Sequence, residues 1–569
     1  MMKTITTFVS GLLLSAALLL PTSALAAELQ PFFTLKLSSV NTLVSVAEKI
    51  GTMAGFADNA RLRDIVAIAK GIKGVNPNEI AGIAVAVVDD EINLLVLLPI
   101  TDLWGAEVPG YPNVFDTIRP FLAKRGNDFV ISSPFGAYIA VQKQGYLVIT
   151  PEGIADRVPA DPKKLFADLE KYTLGMKLDC EKVEFETLEA TVFGPIIMLA
   201  SMQNPEAGEQ IENMVEMYRT FFKEFSVVLG GIAFDPKTAD VEYSGTVVPR
   251  KGSDWGKMLA GMKQQPTMFG GFRGTPGNTV VSFGQSMTQS DSAAVMSMIE
   301  PALKQYETLL NAALEQIEED DETGETSEFA QNVFDSIRKI IELDTKKALG
   351  DGACSLNTEG TFLAAGNTNA LEELRKLTAM IAGFIGKKAP EEIKALVEKN
   401  LNRNYATVEG FKVSSLKIPV ADLPVPNREK LIPFKDLTLG IFWAVKDTAG
   451  KQAVAVAAGL DFAKTEQTFK AALEKTKTTV PVQQPVGTVS VQGFGKLLQQ
   501  QIYPLVVKTN ESGENLEKFK KVVDILASAG SDATITAHVD MKPDRSGFGY
   551  HVSGKAIQAV ISAVRAVVE

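Results

Sequence analysis

The sequence predicts an α+β protein made of two related halves, in which largely antiparallel sheets carry amphipathic helices on one face. A unit of apolar strand, short polar turn, second apolar strand and helix recurs along the chain. The intervening helical segments carry their apolar residues on one side, so each needs a sheet face as its partner. The composition, 46% hydrophobic and 22% charged over 569 residues, excludes a disordered chain and a polytopic membrane protein.

Five hairpins follow from the alternation of apolar segments and turn residues. They are 83–88 with 92–100, 137–141 with 146–149, the segment 226–248 turned at 235–237, 439–445 with 453–459, and 533–541 with 549–553. Asp and Pro recur in the turns because Pro presets the turn dihedral and Asp hydrogen-bonds nearby backbone N–H groups. The last three hairpins each lead into a predicted helix.

One helix carries an unusual number of Met and Phe residues. From Ile211 onward the apolar positions form one stripe, at Met214, Val215, Tyr218, Phe221, Phe222 and Phe225. Four methionines lie on or just before this helix: Met198, Met202, Met214 and Met217. The favoured interpretation is packing in a core. The alternative is an adaptable surface for an apolar ligand, because methionine suits variable contacts.

The chain divides into a leader at 1–26, an N-terminal half at 27–263, a Gly/Pro linker at 264–278 and a C-terminal half at 279–569. Both halves end in a hairpin with a Pro-containing turn followed by a helix, which indicates duplication. The segment Gly270 to Gly277 also resembles a phosphate-binding loop. It lacks the Gly-Lys-Ser/Thr ending, and Pro276 removes a backbone N–H, so a linker is the better interpretation.

Residues 1–26 have the pattern of a signal peptide. Lys3 precedes an apolar stretch, Pro21 breaks it, and small residues at Ala24 and Ala26 place the cleavage before Ala27. A membrane anchor would need about 20 apolar residues, more than this stretch contains. We therefore expect export to the periplasm, cell envelope or extracellular space, and no integral membrane protein after cleavage.

The formal net charge is −11, and much of it lies in an acidic loop at 318–328. That loop lacks the alternating ligand positions of a calcium loop, so we interpret it as a solvated segment. No cluster of Lys and Arg interleaved with aromatic residues occurs. A nucleic-acid partner is therefore not expected.

The two cysteines, Cys180 and Cys354, are too far apart in sequence for a zinc-finger pair. In an exported protein they could form a disulfide. The alternative is two separate buried thiols, since free Cys is often part of a core.

The two histidines, His538 and His551, lie on the two predicted strands of the last hairpin. A turn centred between Asp544 and Arg545 would place them opposite each other, with Asp540 on the same face. One hairpin supplies at most three ligands, so we expect no metal site. We also expect no catalytic residues and no cofactor, because no nucleophile elbow occurs and every histidine-dependent mechanism would need one of these two.

Four stretches carry a resemblance that extends over most of the chain. They are 94–102, 145–179, 227–249 and 360–377. In them the sequence resembles a family of large exported planctomycete-type proteins of unknown function. The resemblance implies export and a duplicated α+β architecture; it implies no reaction and no catalytic residue.

Together these features predict an exported soluble protein, a non-enzymatic structural or interaction module whose partner is a protein or an envelope component. Two alternatives remain open. One is a carrier of a lipid or other apolar ligand. The other is a carboxylate-based hydrolase, because 68 acidic residues offer many carboxylate pairs.

Overall fold

A computed structural model describes residues 29–568. The residues left out of the description are 54, 56–59, 72–73, 90, 102–121, 126–127, 134–135, 276, 289–292, 294, 297–298, 301–302, 305, 311–324, 347–348, 424–435, 449–450, 483 and 510–512. The chain forms two compact units. Unit 1 comprises the residues up to Ser253 together with Arg545–Gly549, and unit 2 comprises Asp254–Asp544 together with Tyr550 to the C-terminus.

Ten strands of unit 1 pair in the order β4-β5-β6-β7-β3-β2-β1-β8-β9-β10, and all pairs described are antiparallel. Their bounds are β1 Phe33–Leu37, β2 Ala81–Val88, β3 Glu91–Pro99, β4 Leu122–Arg125, β5 Asp128–Ser133, β6 Gly136–Lys143, β7 Tyr146–Pro151, β8 Leu174–Asp179, β9 Phe225–Phe234 and β10 Val241–Pro249. The helices of this unit are α1 Val40–Met53, α2 Ala60–Gly71, α3 Phe185–Leu188, α4 Gly194–Gln203 and α5 Pro205–Glu224.

Both faces of the unit 1 sheet are covered, whereas we predicted helices on one face. Strand β2 shows why, because Ala84 and Ala86 belong to one buried cluster while Val85 and Val87 pack against another. Neighbouring residues of a strand point to opposite faces, so a strand with apolar residues at every position needs cover on both. The 3₁₀ segment Pro162–Leu169 contributes to the first cluster, and α3 and α5 contribute to the second.

Unit 2 has a sheet in the order β15-β16-β17-β18-β14-β13-β12-β19-β20, again with antiparallel pairs, and a short β11 also pairs with β12. The bounds are β11 Lys263–Gln264, β12 Thr279–Thr288, β13 Leu349–Asn357, β14 Phe362–Thr368, β15 Leu401–Val408, β16 Phe411–Pro419, β17 Thr438–Thr448, β18 Lys451–Gly459, β19 Gly487–Ser490 and β20 Thr534–Lys542. Strand β21, Arg545–Val552, belongs to unit 1 up to Gly549 and to unit 2 from Tyr550. The helices are α6 Asp254–Gly261, α7 Glu325–Lys346, α8 Leu371–Lys388, α9 Glu391–Asn400, α10 Phe462–Glu474, α11 Val491–Leu497, α12 Tyr503–Thr509, α13 Glu514–Ala527 and α14 Gly554–Val568.

The predicted α+β class is confirmed: large antiparallel sheets combine with helices. Four predicted hairpins are paired as expected, at β2–β3, β6–β7, β9–β10 and β17–β18. The β6–β7 turn consists of Gln144 and Gly145, both with positive φ, which is the turn geometry that matches the twist of two paired strands. The strands of the fifth hairpin, β20 and β21, lie at the predicted positions.

The segment 264–278 is part of unit 2, so our prediction of a linker is wrong. Phe269 and Phe272 are fully buried in the main core cluster of this unit. Asp351 accepts hydrogen bonds from the Thr267 hydroxyl and the Met268 N–H, which ties the segment to β13. The glycines let the backbone approach the core closely, and the two aromatic rings gain more from burial than from exposure. The boundary between the units falls after Ser253.

Two other predicted segments fall wholly or partly outside the described residues. The signal peptide at 1–26 is one of them. Of the acidic loop, Glu325 and Glu328 are described, and both lie in the first turn of α7. Acidic side chains are favourable there because the helix macrodipole is positive at its N-terminus.

Candidate interaction surface

Helices α3 to α5 form a helical hairpin of two antiparallel arms that connects β8 to β9. The first arm runs through α3, a π-helical turn at Glu189–Phe193 and α4. The second arm is α5. Pro195 is the second residue of α4 and has no N–H to donate to a regular helical hydrogen bond. The wide π-helical turn ends two residues before it, at Phe193. Asn204 leaves the helical conformation, and Pro205 begins α5, a position that suits proline.

The base of this hairpin is anchored in the core of unit 1. Phe222 packs on Phe185 with ring centroids 5.3 Å apart, and Val215 is buried in the same cluster. Arg219 of α5 forms ion pairs with Glu189 in the π turn, at 2.6 Å, and with Glu216, at 2.9 Å. The base therefore holds the two arms together.

Farther out, the two arms stay in close contact. A Cβ atom at Gly208 would lie 3.1 Å from the Cα of Ser201, so glycine permits the close approach of α5 to α4. Tyr218 stacks on Phe193 at a centroid distance of 5.9 Å with an interplanar angle of 9°. The hairpin is thus a defined structure with a defined outer surface.

That outer surface is apolar. We call it the methionine surface and define it by the exposed residues Ile196, Met198, Leu199, Met202, Met214, Met217 and Tyr218. Met202 is 76% exposed and Met198 is 65% exposed. Core packing, the interpretation we favoured for the four methionines, is therefore wrong. Val215 and Phe222 take the core-facing positions of α5, and the neighbouring Met214 and Met217 are turned away from the core.

The helix that carries most of this surface has no charge along its length. No charged residue occurs from Ala190 to Pro205. In the described part of the chain, Phe185–Met202 has the length and apolar composition of a membrane-crossing helix, and 11% of it is buried inside the protein. One such helix is weak evidence for a span and does not make the chain an integral membrane protein.

Both cysteines are free thiols in the structure, so the disulfide we considered between Cys180 and Cys354 is not formed here. Cys180 follows β8 and is buried beside Phe185 and Phe222 at the base of the hairpin. Burial raises the pKa of the Cys180 thiol to about 12. Cys354 lies on β13, paired with Phe283 on one side and Ala364 on the other, and is partly exposed.

Both histidines lie on the predicted strands, His538 on β20 and His551 on β21. The turn between these strands is at a different position from the one we predicted. Strand β20 ends at Lys542 and β21 begins at Arg545, so the turn is centred between Pro543 and Asp544. This centre is one residue earlier than the one that would place His538 and His551 opposite each other. The His538 ring is hydrogen-bonded to the Thr536 hydroxyl at 3.1 Å. Within the described residues, no group of three or more His, Cys, Asp or Glu could hold a metal ion.

Comparisons with known proteins give no further guidance. No family model, no curated protein and no solved structure matches the chain. Function has to be inferred from the surfaces and cavities of the chain itself. The uncharged sixteen residues around Pro195 are the sequence signal that could have identified the methionine surface as exposed.

Proposed function

We propose that this protein is an exported, non-enzymatic component of the cell envelope that binds a lipid surface reversibly through the methionine surface. The observation that carries the proposal is helix α4, an uncharged helix with four exposed apolar side chains, although the rest of unit 1 has a well-packed core. Export is supported by the signal-peptide pattern at residues 1–26.

A lipid surface fits α4 better than a groove on a partner protein. At 100° per residue, the positions from Ile196 through Met198, Leu199 and Met202 cover roughly 160° of the helix circumference. A groove covers a narrower stripe, and protein interfaces are bordered by a polar rim. On α4 no charged rim exists, and acyl chains can surround all of the exposed positions at once.

The dimensions and charges of the hairpin limit the depth of insertion. Ten residues of α4 extend about 15 Å, half of the roughly 30 Å hydrocarbon core of a bilayer. Helix α5 carries five Glu against one Arg and one Lys, so its polar side favours water. The hairpin therefore suits a helix that lies in the interface of one leaflet, and its acidic side predicts no preference for anionic lipids.

Flotation with phosphatidylcholine vesicles tests the proposal. We expect the mature protein to float with the vesicles and the double variant Met198→Glu/Leu199→Glu to bind at least about tenfold more weakly, because two charges must then leave water. Val507→Glu is the matched control, since Val507 is an exposed apolar residue on the corresponding helix of unit 2. Its binding should equal that of the wild type.

Two results would contradict the proposal. One is wild-type protein that stays at the bottom of the gradient with every vesicle composition. The other is concentration-dependent self-association that the double variant abolishes, without any vesicle binding, which would make a second copy of the chain the occupant. Addition of phosphatidylserine should not increase binding, and a strong increase would contradict the role given to the acidic α5.

The relation between the two units is a further part of the proposal, and two features support it. The strand orders correspond one to one from β4 with β15 through β1 with β12 to β9 with β20. In both units the connection after β8 or β19 contains a π-helical turn, Glu189–Phe193 or Leu498–Ile502, followed by an α-helix with proline as its second residue, Pro195 or Pro504. We propose that the units arose by duplication.

The two alternative functions gain less support. A carrier of an apolar ligand needs an enclosed apolar cavity, and the cavity described below has polar groups and cations in its wall. A carboxylate-based hydrolase needs a pair of acids beside its substrate. None of the described residues that line this cavity is an acid.

A further inference from the structure

Unit 2 contains a cavity of about 590 Å³. Its walls are the 3₁₀ turn Gly270–Arg273, strands β12 and β19, and the described residues between β18 and β19, from Lys475 to Val482 and at Gln484 and Pro485. The volume lies within the range of sites that bind small molecules, roughly 300 to 1,000 Å³. The segment that we predicted to be a linker thus forms one wall of a binding-sized cavity.

Two of the described residues that line the cavity are charged, and both are cations. Arg273 is half-buried, and its Nη2 donates a hydrogen bond to the Pro485 carbonyl. Its side chain lies over Gly284, where an added Cβ would be only 2.6 Å from the Arg273 Cδ. Lys475 is exposed at the start of the facing connection. Asp532, an acid close to this wall in sequence, forms an ion pair with Lys555 at 2.6 Å.

The rest of the wall is rich in small polar groups. The described residues that line it include eight Ser and Thr residues, two Gln residues and several glycines. Some hydroxyls are used by the protein itself: Thr267 donates to Asp351, and Ser490 accepts the Gly493 N–H. None of the described lining residues is aromatic, so the wall has no ring on which a nucleobase or the apolar face of a neutral sugar could stack.

The corresponding place in unit 1 is filled. There Lys36 of β1 is 4% exposed, and its ammonium donates to the carbonyls of Leu169, Glu170 and Tyr172. The connection from β7 to β8 lies directly on β2 and β8, as the close contacts of Phe166 with Gly82 and of Tyr172 with Gly175 show. The strand order shared by the two units therefore does not require a cavity at this place, and the cavity is a feature of unit 2.

We propose that this cavity binds a small polyhydroxylated organic anion, of the class of sugar acids and sugar phosphates. Its carboxylate or phosphate would lie between Arg273 and Lys475, because guanidinium and ammonium groups form strong charge-assisted hydrogen bonds with such oxygens. Its hydroxyls would face Ser282, Thr488 and Thr534. The inference does not depend on the lipid-binding function proposed above.

Isothermal titration of the mature protein with four probes tests this site: D-glucuronate, D-glucose 6-phosphate, inorganic phosphate and neutral D-glucose. We expect one or both sugar anions to bind at least about tenfold more tightly than glucose and than inorganic phosphate. Arg273→Gln and Lys475→Met should each weaken that binding, the former by about tenfold or more. Lys171→Met is the matched control in unit 1, where Lys171 donates to the Ser244 hydroxyl, and it should leave the affinity unchanged.

Each other outcome contradicts part or all of the proposal. If no anionic probe binds, or if the double variant Arg273→Gln/Lys475→Met binds as tightly as the wild type, the site is refuted. Glucose that binds as tightly as the anions would remove the role of the cations. Inorganic phosphate that binds as tightly as glucose 6-phosphate would remove the role of the hydroxyls. Lys475 is exposed, so Lys475→Met remains informative if Arg273→Gln fails to fold.

Discussion

The helical connection in unit 1 and its counterpart in unit 2 have the same plan but different surfaces. In unit 1, α3 and the π turn lead into α4 and then α5; in unit 2, α11 and a π turn lead into α12 and then α13. In unit 2, Val491 of α11 and Leu526 of α13 are buried with Ala556, Ala559 and Ala563 of the terminal helix α14. In unit 1, α4 leaves Met198, Leu199 and Met202 exposed.

The two connections share their order of helices but differ in the apolar residues that they expose. The fold therefore does not require the exposed methionines of unit 1. The alanines of α14 pack against the helices of unit 2. Among the described residues of this connection and of α14, the exposed large apolar residues are Phe494, Val507 and valines of α14 such as Val560 and Val564, and none of them is a methionine. Four exposed methionines are a feature of the unit 1 hairpin. Methionine side chains are flexible and adapt to partners of irregular shape, and lipid acyl chains are partners of this kind. The exposed methionines of α4 and α5 are the residues that the proposed lipid binding uses.

The largest effect that distinguishes the two connections should come from their tight glycines. At Gly495 of α11, a Cβ would lie 2.1 Å from the backbone N of Ala527 and 2.3 Å from the backbone C of Leu526. We expect Gly495→Ala to lower the free energy of unfolding of unit 2 by about 3 kcal/mol, since backbone atoms must move. At Gly208 the nearest atom is the Ser201 hydroxyl, which can rotate.

We expect Gly208→Ala to change the free energy of unfolding of unit 1 by about 1 kcal/mol or less, because the gain in helix propensity offsets part of the overlap. Urea denaturation followed by far-UV circular dichroism measures both variants. Equal losses would show that the arms of unit 1 are packed as tightly as the helices of unit 2.

The sequence predicted the strands better than the surfaces. Hairpins such as β2–β3 and β6–β7 depend on local alternation and turn residues, which one sequence shows directly. Whether Met214 is buried or exposed depends on which of two adjacent stripes of α5 packs into the core. The stripe with Val215 and Phe222 does so because it contacts Phe185 and other residues distant in sequence. Gly and Pro at 264–278 indicated a linker, yet Phe269 and Phe272 are core residues because partners from β13, β18 and α10 surround them. The cavity could not be predicted, since its walls come from four separate stretches of chain.

The two cysteines give a second contrast between the units. At pH 8, burial and a pKa of about 12 keep the Cys180 thiol protonated, and the thiolate is the reactive form. We expect Ellman's reagent to label Cys354 in the native protein and to label Cys180 at least about a hundredfold more slowly. In guanidinium chloride both should react, giving two thiols per chain. Fewer than two thiols in the unfolded, unreduced protein would mean that Cys180 and Cys354 do form a disulfide.

The smallest expected effect is a difference in the oxidation rates of exposed and buried methionines. The same oxidation also tests whether the exposed methionines bind lipid. Mild treatment with hydrogen peroxide should oxidise Met202, Met198 and Met217, which are 62% to 76% exposed, at least about tenfold faster than Met258 of α6, which is 6% exposed. Peptide mass spectrometry measures the rates. Sulfoxide formation makes these side chains polar without changing the core, so the oxidised protein should keep its unfolding transition and lose affinity for phosphatidylcholine vesicles. Full vesicle binding after complete oxidation of the three residues would mean that the methionine surface is not the part of the protein that meets the lipid.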